Sequence, residues 1–341
     1  MTLPDSLLAA LHAGDPTDQV LIQSIFGTVD PQQIGQQIVD LCRSALDQEI
    51  ATCEFWEVSV SFTMGLCLKS GERVVMKFRS PENITLSSLQ AICQVQEYLA
   101  NQGFPAPQII LPPLQQGNAL ATIETLLDLG ENCDAHDPVV RQAMATGLLQ
   151  QIQLAQPLVN LPDLPPSRFQ STPLWEKPHN ALFDFERTAK GAAWIDAIAE
   201  AAKAKYSSSD QPLQIGHMDW SIKNMRLHNG QLSAIYDWDS LRFENELIIL
   251  GNALKGFLAT WYVNIKLIVP TPEEVNLFIH DYECAKGKPF RPDEQQKIRA
   301  AFVYSLAYTA RCEHAIDQAG EKIQGSFREA LRNYAAYYEK A

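Results

Sequence analysis

The spacing of apolar residues changes along this chain and divides it into parts. Up to residue 50 the apolar positions recur at helical spacing, as in PQQIGQQIVDLCRSAL, where Ile34, Ile38 and Leu41 share one face. From residue 55 to 80 they follow strand patterns, and after about residue 137 helical spacing returns. The pattern predicts an α+β protein with an N-terminal helical extension over 1–50, a β-rich part over 51–127 and a mostly helical part over 128–341.

The β-rich part contains two runs of strand type around the turn Lys69-Ser70-Gly71-Glu72, which predicts a hairpin. In the second run Lys77 alternates with apolar residues, so a lone lysine projects from an otherwise apolar strand. A helix is predicted over 84–101, ended by NQGFPAP, and another strand is predicted in ALATIETLLDLG.

The helical part is interrupted once by strands. Met225–Leu227 and Leu232–Tyr236 are predicted to pair through the turn His228-Asn229-Gly230-Gln231. Helices are predicted in PVVRQAMATGLLQQIQLAQ and AAWIDAIAEAAKAK, which a proline-rich loop at 157–173 separates, and then over 245–262, 272–286, 292–316 and 322–339.

Charge and cysteine content restrict the function. The 341 residues include 27 Lys and Arg and 40 Asp and Glu, a formal net charge of −13, which argues against nucleic acid as a partner. Seven scattered cysteines without a CxxC pair are typical of reduced thiols. The longest apolar region, 247–269, is interrupted by Lys255 and Lys266, and no Lys or Arg precedes Arg43. We therefore expect a cytoplasmic protein with no membrane association, and leave monomer and homodimer both open.

One stretch concentrates residues that carry chemistry, QIGHMDWSIKNMRLHNGQLSAIYDWDS at 214–240. A turn followed by a hairpin can bring the oxygen of Asn224 and the carboxylates of Asp219 and Asp237 towards a common point. Hard oxygen ligands of this kind suit Mg²⁺, which takes one or two carboxylates together with substrate phosphates. Together with the strand lysine Lys77, they point to a nucleotide.

The spacing His217-x-Asp219-x-x-x-x-Asn224 is that of the catalytic loop of protein kinases. However, Met218 replaces the arginine of that loop, Trp238-Asp239 follows Asp237, and no A-P-E sequence occurs. With these departures the chain resembles the superfamily of aminoglycoside phosphotransferases and choline kinases, small-molecule kinases whose usual form is HGDxxxxN, a strand and iDW. The segments GERVVMKF, EYLANQGFPAPQII and FIHDYECAKGKPF extend the resemblance over about residues 50–315.

The resemblance implies a two-lobed protein-kinase-like fold that binds ATP and Mg²⁺ and phosphorylates a hydroxyl of a small molecule. The acceptor class stays open among amino alcohols, amino sugars, amino acids and sugars. Carried over residue by residue, it implies that Asp219 receives or orients the proton of the hydroxyl, that His217 braces the loop, and that Lys77 contacts the nucleotide phosphates. Asn224 and Asp237 are implied as metal ligands, and Asp239 as either a second metal contact or a brace.

Two departures from the family pattern leave an alternative open. Residues 57–65, EVSVSFTMG, lack a G-x-G-x-x-G loop, so phosphate contacts there are expected from Ser59, Ser61 and backbone N–H groups. The helix glutamate that partners the lysine should fall near residue 92, which is Ile92, and Glu97 is the acidic candidate nearby. A pseudokinase-like binding or regulatory protein is therefore the alternative. Trp220 and Trp238 are interpreted as core residues or as walls of a pocket for a cationic substrate.

Overall fold

A computed structural model describes residues 3–13, 18–167, 169, 173–176, 178, 183–206, 212–257, 269–320 and 327–338. Contacts divide the chain into two compact units, Met1–Asn101 with Ala106–Leu127, and Gln102–Pro105 with Asp128–Ala341. Across the described ranges, each helix is too short or too polar to cross a membrane. The seven cysteines are free, as expected for reduced thiols.

The first unit is an antiparallel five-stranded sheet in the order β1-β2-β3-β5-β4, with helices on its two faces. Its elements are α1 (Asp5–His12), α2 (Gln19–Phe26), α3 (Pro31–Leu46), β1 (Ile50–Val58), β2 (Phe62–Leu68), β3 (Arg73–Arg79), α4 (Leu86–Asn101), β4 (Ile109–Gln116) and β5 (Ala119–Thr125). The predicted hairpin turn joins β2 to β3, and Gly71 there has a φ of 90°, which glycine adopts without strain.

The two faces of the sheet differ in character because alternate residues of a strand point to opposite sides. Met76 and Phe78 of β3 point into a core shared with α1, α2 and α3, to which Ile34 and Ile38 contribute. Lys77 and Arg79 point to the other face, where Arg79 donates a hydrogen bond from Nη1 to Thr122 Oγ1 at 2.9 Å. The N-terminal helices thus cover one face of the sheet.

Two strands of this sheet went unrecognised in the sequence. The first, β1, begins at Ile50 inside the part assigned to the helical extension. The second, β4, has the sequence IILPPLQQ, and prolines ordinarily argue against a strand. Its position at the edge of the sheet explains the prolines, because an edge strand tolerates missing N–H donors.

The second unit is mainly helical and contains two small antiparallel sheets, β6 with β9 and β7 with β8. Its elements are α5 (Pro138–Leu154), α6 (Ala193–Tyr206), β6 (Leu213–His217), β7 (Met225–His228), β8 (Gln231–Ile235), β9 (Leu241–Asn245), α7 (Glu246–Ala253), α8 (Pro272–Lys286), α9 (Pro292–Ile316) and α10 (Phe327–Tyr338). The predicted β7–β8 hairpin is confirmed, and Asn229 and Gly230 at its turn have φ angles of 52° and 75°.

The predicted helices over 272–286 and 292–316 match α8 and α9. The helix predicted over 245–262 was wrong in its extent, because α7 ends at Ala253 and a 3₁₀ helix, Leu254–Phe257, follows it. Residues 258–262 of that prediction lie outside the described residues, as do 322–326 and 339 of the last helix and 168 and 170–172 of the proline-rich loop.

Candidate active site

His217, the last residue of β6, is fully buried and links three parts of the motif. Its Nε2 lies 2.9 Å from the carbonyl oxygen of Tyr236, and its Nδ1 lies 3.0 Å from Ser240 Oγ. A carbonyl only accepts, so Nε2 carries the proton and Nδ1 accepts from the serine hydroxyl. Burial lowers the pKa of His217 below its usual value, although the bond to Tyr236 opposes the shift, and the ring is neutral. His217 thus ties the end of β6 to Tyr236 and Ser240, and its role as a brace of the catalytic loop stays a prediction.

Asp219 is held by the same network. Its backbone N–H donates to Ser240 Oγ at 3.2 Å, so the serine connects it to His217. Its carboxylate Oδ2 accepts from Asn224 Nδ2 and from Lys223 Nζ, each at 2.9 Å. Among the described residues, both side-chain donors bind Oδ2, which leaves Oδ1 as the oxygen that can receive a proton from a substrate.

The charge of Asp219 is stabilised by two lysines. Burial favours the neutral acid, but Lys223 and Lys255 hold the pKa of this carboxyl well below its usual range. Lys255 belongs to the 3₁₀ helix after α7. The next residue, Gly256, allows the approach, because a Cβ there would lie 2.1 Å from the backbone oxygen of Trp220. The carboxylate is therefore ionised in neutral solution.

Asn224 and Asp237 are brought together by the β7–β8 hairpin. Met225 pairs with Ile235, and beyond this pair Tyr236 N–H donates to the Asn224 carbonyl at 2.8 Å. Asp237 comes directly after Tyr236, is exposed, and has a left-handed backbone with φ of 63° and ψ of 46°. A non-glycine residue in this conformation is uncommon outside turns and functional sites. Asp239 lies half-buried in the 3₁₀ helix Trp238–Ser240, and its role as metal contact or brace stays a prediction.

The donor set at Asn224 and Asp237 fits Mg²⁺. Asn224 uses Nδ2 for both the carbonyl and the carboxylate of Asp219, at 2.9 Å each, so its Oδ1 is the atom available to a cation. The described residues contain no group of three or more His, Cys, Asp or Glu side chains that could together hold a metal ion. One amide oxygen and one carboxylate suit an ion that keeps waters and shares substrate phosphates, which is the habit of Mg²⁺.

In the first unit, Lys77 is buried and forms an ion pair with Glu124 of the neighbouring strand β5, with 2.7 Å between Nζ and Oε1. The other oxygen of Glu124 accepts from Gln96 Nε2 of α4 at 2.9 Å. Gln96 Nε2 also donates to the Pro107 carbonyl at 2.9 Å, so the amide that holds Glu124 is itself tied to the loop after α4. The lysine is thereby fixed in position.

Glu97 is not the partner of Lys77, contrary to the sequence-based expectation. It lies on the exposed face of α4 with Gln90 and Gln94, whereas Gln96 points inward. Helical spacing located this face correctly, but burial decided which face meets the sheet. A signal for Glu124 was present, since it is the single charged residue in the apolar run ALATIET.

Ser59 and Ser61 lie in the tight turn between β1 and β2. The N–H of Ser59 donates to the Ser61 carbonyl at 3.1 Å, and the hydroxyls of Ser61 and Thr63 lie 3.2 Å apart. One backbone donor is thus used inside the turn, and the contact of these hydroxyls with phosphate stays a prediction.

Trp220 and Trp238 are core residues, and neither is available to a substrate. Both side chains are 1% exposed, and their indole N–H groups donate to the carbonyls of Met144 and Ile235 at 3.0 and 2.8 Å. The ring of His217 packs edge-on against both. The cation–π interpretation was therefore wrong, and the two indoles pack against the buried ring of His217.

The sequence reasoning missed Lys223, Lys255 and Ser240 beside Asp219. Lys223 is inside the motif, four residues after Asp219, a spacing at which side chains meet on a helical turn. Lys255 carried a signal as one of two lysines in the apolar region 247–269. Ser240 carried none, because serine is common in turns.

Comparison with known proteins identifies the family and the fold of the chain. A model of the phosphotransferase enzyme family (APH) matches residues 60–250, more than half of the chain. The match includes Lys77, Glu124 and the whole segment 217–239. No curated protein matches the sequence.

Three solved structures share the fold at low sequence identity. An amicoumacin kinase in complex with AMP-PNP and Ca²⁺ has a TM-score of 0.65 at 12% identity, covering 89% of this chain and 93% of that one. An ethanolamine kinase from Plasmodium vivax has a TM-score of 0.55 at 13% identity, covering 99% and 98%. A choline kinase from Cryptosporidium parvum has a TM-score of 0.51 at 15% identity, covering 89% and 94%.

Proposed function

Because the chain belongs to the phosphotransferase enzyme family, whose members act on hydroxyl groups of small molecules, we propose that it transfers the γ-phosphoryl group of ATP to such a hydroxyl in a Mg²⁺-dependent reaction. The observation that carries this proposal is the setting of Asp219. Its Oδ2 is bound by Asn224 and Lys223, its N–H by Ser240, and its Oδ1 is left to meet a substrate.

The reaction needs one proton acceptor and one leaving group. As the hydroxyl oxygen bonds to the γ-phosphorus, Asp219 Oδ1 receives its proton. The bond between the γ-phosphorus and the bridging oxygen of ATP breaks, and that oxygen departs on ADP with the electron pair. A positioned base of this kind contributes roughly 10²–10⁴-fold in rate. The low pKa of Asp219 makes it a weak base, which suits a transition state in which the proton moves late.

Asn224 Oδ1 and the Asp237 carboxylate are the proposed ligands of Mg²⁺, which when bound neutralises charge on the phosphate oxygens. Lys77 is proposed to contact the nucleotide phosphates, with Glu124 and Gln96 holding its ammonium group in place. Ser59 and Ser61 are the proposed hydroxyl contacts of the β1–β2 turn. His217 acts on Asp219 through Ser240 and is a positioning residue.

A second function is favoured by one observation, the glycine-free turn at residues 59–61. A protein that keeps the fold and binds nucleotide without transferring phosphate would not need a glycine-rich loop to position the phosphates for transfer. The ordered setting of Asp219 and Asn224 opposes this alternative.

The experiment that separates the two functions measures ADP release at saturating ATP with and without Mg²⁺, across a panel of small hydroxyl compounds. We expect release that depends on both Mg²⁺ and an acceptor, with a phosphate ester as product by phosphorus NMR. Binding of Mg-ATP with no release for any acceptor would favour the binding protein instead.

A further inference from the structure

Phe55 of β1 is an exposed aromatic side chain on an ordered strand. Of the large hydrophobic side chains exposed in the described part of the chain, it is the one aromatic, with 39% of its surface accessible. Its neighbour Trp56 points the opposite way, into the core, where its ring lies 6.0 Å from that of Phe62. Strand alternation therefore places Phe55 on the face of the sheet opposite the N-terminal helices.

The ring of Phe55 lies against Gly65 of the neighbouring strand β2. The two residues are paired, and a Cβ on Gly65 would lie 2.1 Å from Cε1 and 2.8 Å from Cζ of the ring. Any other residue at this position would displace the ring, because these distances are far shorter than van der Waals contact. Glycine inside a strand weakens it and often marks a place where a ligand or another group approaches the backbone.

The paired residues Phe55 and Gly65 face the same side of the sheet as Lys77. Gly65 pairs with Val75 of β3, and Lys77 comes two residues later, so its side chain leaves the same face. From the rise along a strand and the spacing between strands, Gly65 and Lys77 are about 8 Å apart. All four residues belong to one sheet within one compact unit.

The proposed phosphate contacts lie on one side of Phe55 and Gly65 along the strands. Lys77 pairs with Thr63, which lies between Gly65 and the β1–β2 turn. The turn comes next and carries the serines proposed as hydroxyl contacts. The order along the sheet is therefore aromatic ring, ammonium group and turn. A nucleotide has a matching order, because its ribose separates the base from the phosphates.

We propose that Phe55 stacks on the base of the nucleotide. This assignment rests on the ATP-dependent function proposed above and adds to it the residue of the first unit that binds the base. Stacking of a nucleobase on one aromatic side chain changes affinity by roughly five- to a hundredfold. The phenyl ring has no hydrogen-bonding group, so it adds affinity without reading the edge of the base.

Ordinary surface packing explains Phe55 less well. Isolated apolar side chains are common on protein surfaces and by themselves indicate no function. Phe55 differs because a glycine lies beneath its ring, at a cost to the strand, and because the ring shares a face with Lys77. Both features favour a contact with a ligand.

The test compares ligands with and without a base on the full-length protein. Isothermal titration calorimetry gives Kd for Mg-ATP and for Mg-tripolyphosphate, which keeps the phosphates but lacks the base and the ribose. In Phe55→Ala we expect Kd for Mg-ATP to rise roughly five- to a hundredfold, with Kd for Mg-tripolyphosphate unchanged. Because both ligands are titrated into the same sample, the ratio of the two Kd values is independent of any general loss of folded protein.

Further variants separate the ring from its volume and from its position. Phe55→Tyr and Phe55→Trp keep an aromatic face and are expected to retain most of the affinity for Mg-ATP, whereas Phe55→Leu should fall between wild type and Phe55→Ala. Gly65→Ala keeps the ring but displaces it, so Mg-ATP should bind more weakly. The control is Ile110→Ala of β4, a 41% exposed residue of the opposite edge strand, which should leave both Kd values unchanged.

Each outcome decides the assignment. An unchanged Kd for Mg-ATP in Phe55→Ala overturns it and leaves phosphotransfer standing, and so does tighter binding, which would mean that the ring blocks the site. Equal losses for the two ligands would show a general effect on the sheet and would also contradict it. If only Mg-ATP binds, the contrast between the aromatic and aliphatic variants decides. A wild-type protein that binds neither ligand overturns the proposed function together with this assignment.

Discussion

Lys77 on β3 and Glu124 on β5 form a buried ion pair within one sheet, with 2.7 Å between Nζ and Oε1. The two residues lie on adjacent strands but are not directly opposite each other, because Lys77 pairs with Thr122 and Glu124 pairs with Val75. Their side chains therefore meet diagonally on one face of the sheet. The carboxylate that holds the lysine therefore belongs to the sheet, and the helix α4 contributes only the neutral Gln96. The position of Lys77 follows from strand pairing.

Replacing Glu124 by Gln is expected to destabilise the protein strongly. The change leaves the Lys77 ammonium buried without its counter-charge, which costs roughly 3–5 kcal/mol in the free energy of unfolding. The matched change Glu97→Gln, on the exposed face of α4, is expected to alter it by less than about 0.5 kcal/mol. Denaturant unfolding of both variants measures the difference, and KM for Mg-ATP is expected to rise only in Glu124→Gln.

The double variant Lys77→Met/Glu124→Gln checks the cause. Once the lysine is gone, loss of the carboxylate matters less, so the two changes should be far from additive. Additive losses would show that Glu124 stabilises the sheet for a reason other than Lys77.

Ser240→Ala tests the link between His217 and Asp219. The variant removes the donor to His217 Nδ1 and the acceptor of the Asp219 N–H. Leaving buried groups unsatisfied costs about 1–3 kcal/mol, and a displaced Asp219 should lower kcat by about tenfold or more with KM for Mg-ATP unchanged. Ser233→Ala, in the β7–β8 hairpin, is the control for loss of a serine that bonds backbone carbonyls. An unchanged kcat in Ser240→Ala would remove the positioning role of this network.

His217 makes stability depend on pH. Burial lowers its pKa in the folded protein, so below about pH 6.5 the unfolded chain binds a proton that the folded chain does not. The free energy of unfolding should therefore decrease as the pH is lowered through this window, by up to about 1.4 kcal/mol per pH unit from this group.

Denaturant unfolding between about pH 7.5 and 5.5 compares wild type with His217→Gln and with His228→Gln, an exposed histidine of β7. We expect His217→Gln to be less stable than wild type at the upper pH and to lose this part of the slope. His228→Gln should retain it. Equal slopes for all three proteins would mean that the folded state admits a proton at His217.

Met218→Gly should widen the acceptor range. Met218, the residue before Asp219, lines a cavity of the second unit, and removal of its side chain should leave room for acceptors with an added substituent near the hydroxyl. Met218→Leu keeps the volume and is the matched control. Competing acceptors of increasing size, compared by kcat/KM, give the measurement, and identical size preferences in the two variants would place the limit elsewhere.

The parts of the site that the sequence predicted are local ones. His217, Asp219 and Asn224 lie within eight residues, and the Asn-Gly turn after them specifies a hairpin that places Asp237 beside Asn224. Strand alternation likewise predicted that Lys77 faces away from Met76 and Phe78. Such features depend on spacing alone, which can be read along the chain.

The parts that the sequence did not predict depend on contacts between distant residues. Glu124 is 47 positions from Lys77, and only the β3–β5 register brings them together. The rotation of α4, which directs Gln96 inward and Glu97 outward, is decided by burial against the sheet. Lys255 approaches Asp219 because Gly256 packs on the Trp220 backbone, and no local pattern encodes that contact.

The most direct test of the central claim is the yield of phosphorylated product from Asp219→Asn at saturating Mg-ATP and acceptor. Asparagine keeps the size of the side chain and one oxygen that can accept from Asn224 and Lys223, but it cannot receive the proton. The account predicts that kcat falls by about 10²–10⁴-fold, with Mg-ATP binding retained and with Asp293→Asn, an exposed carboxylate of α9, as active as wild type. Full transfer activity in Asp219→Asn would contradict it.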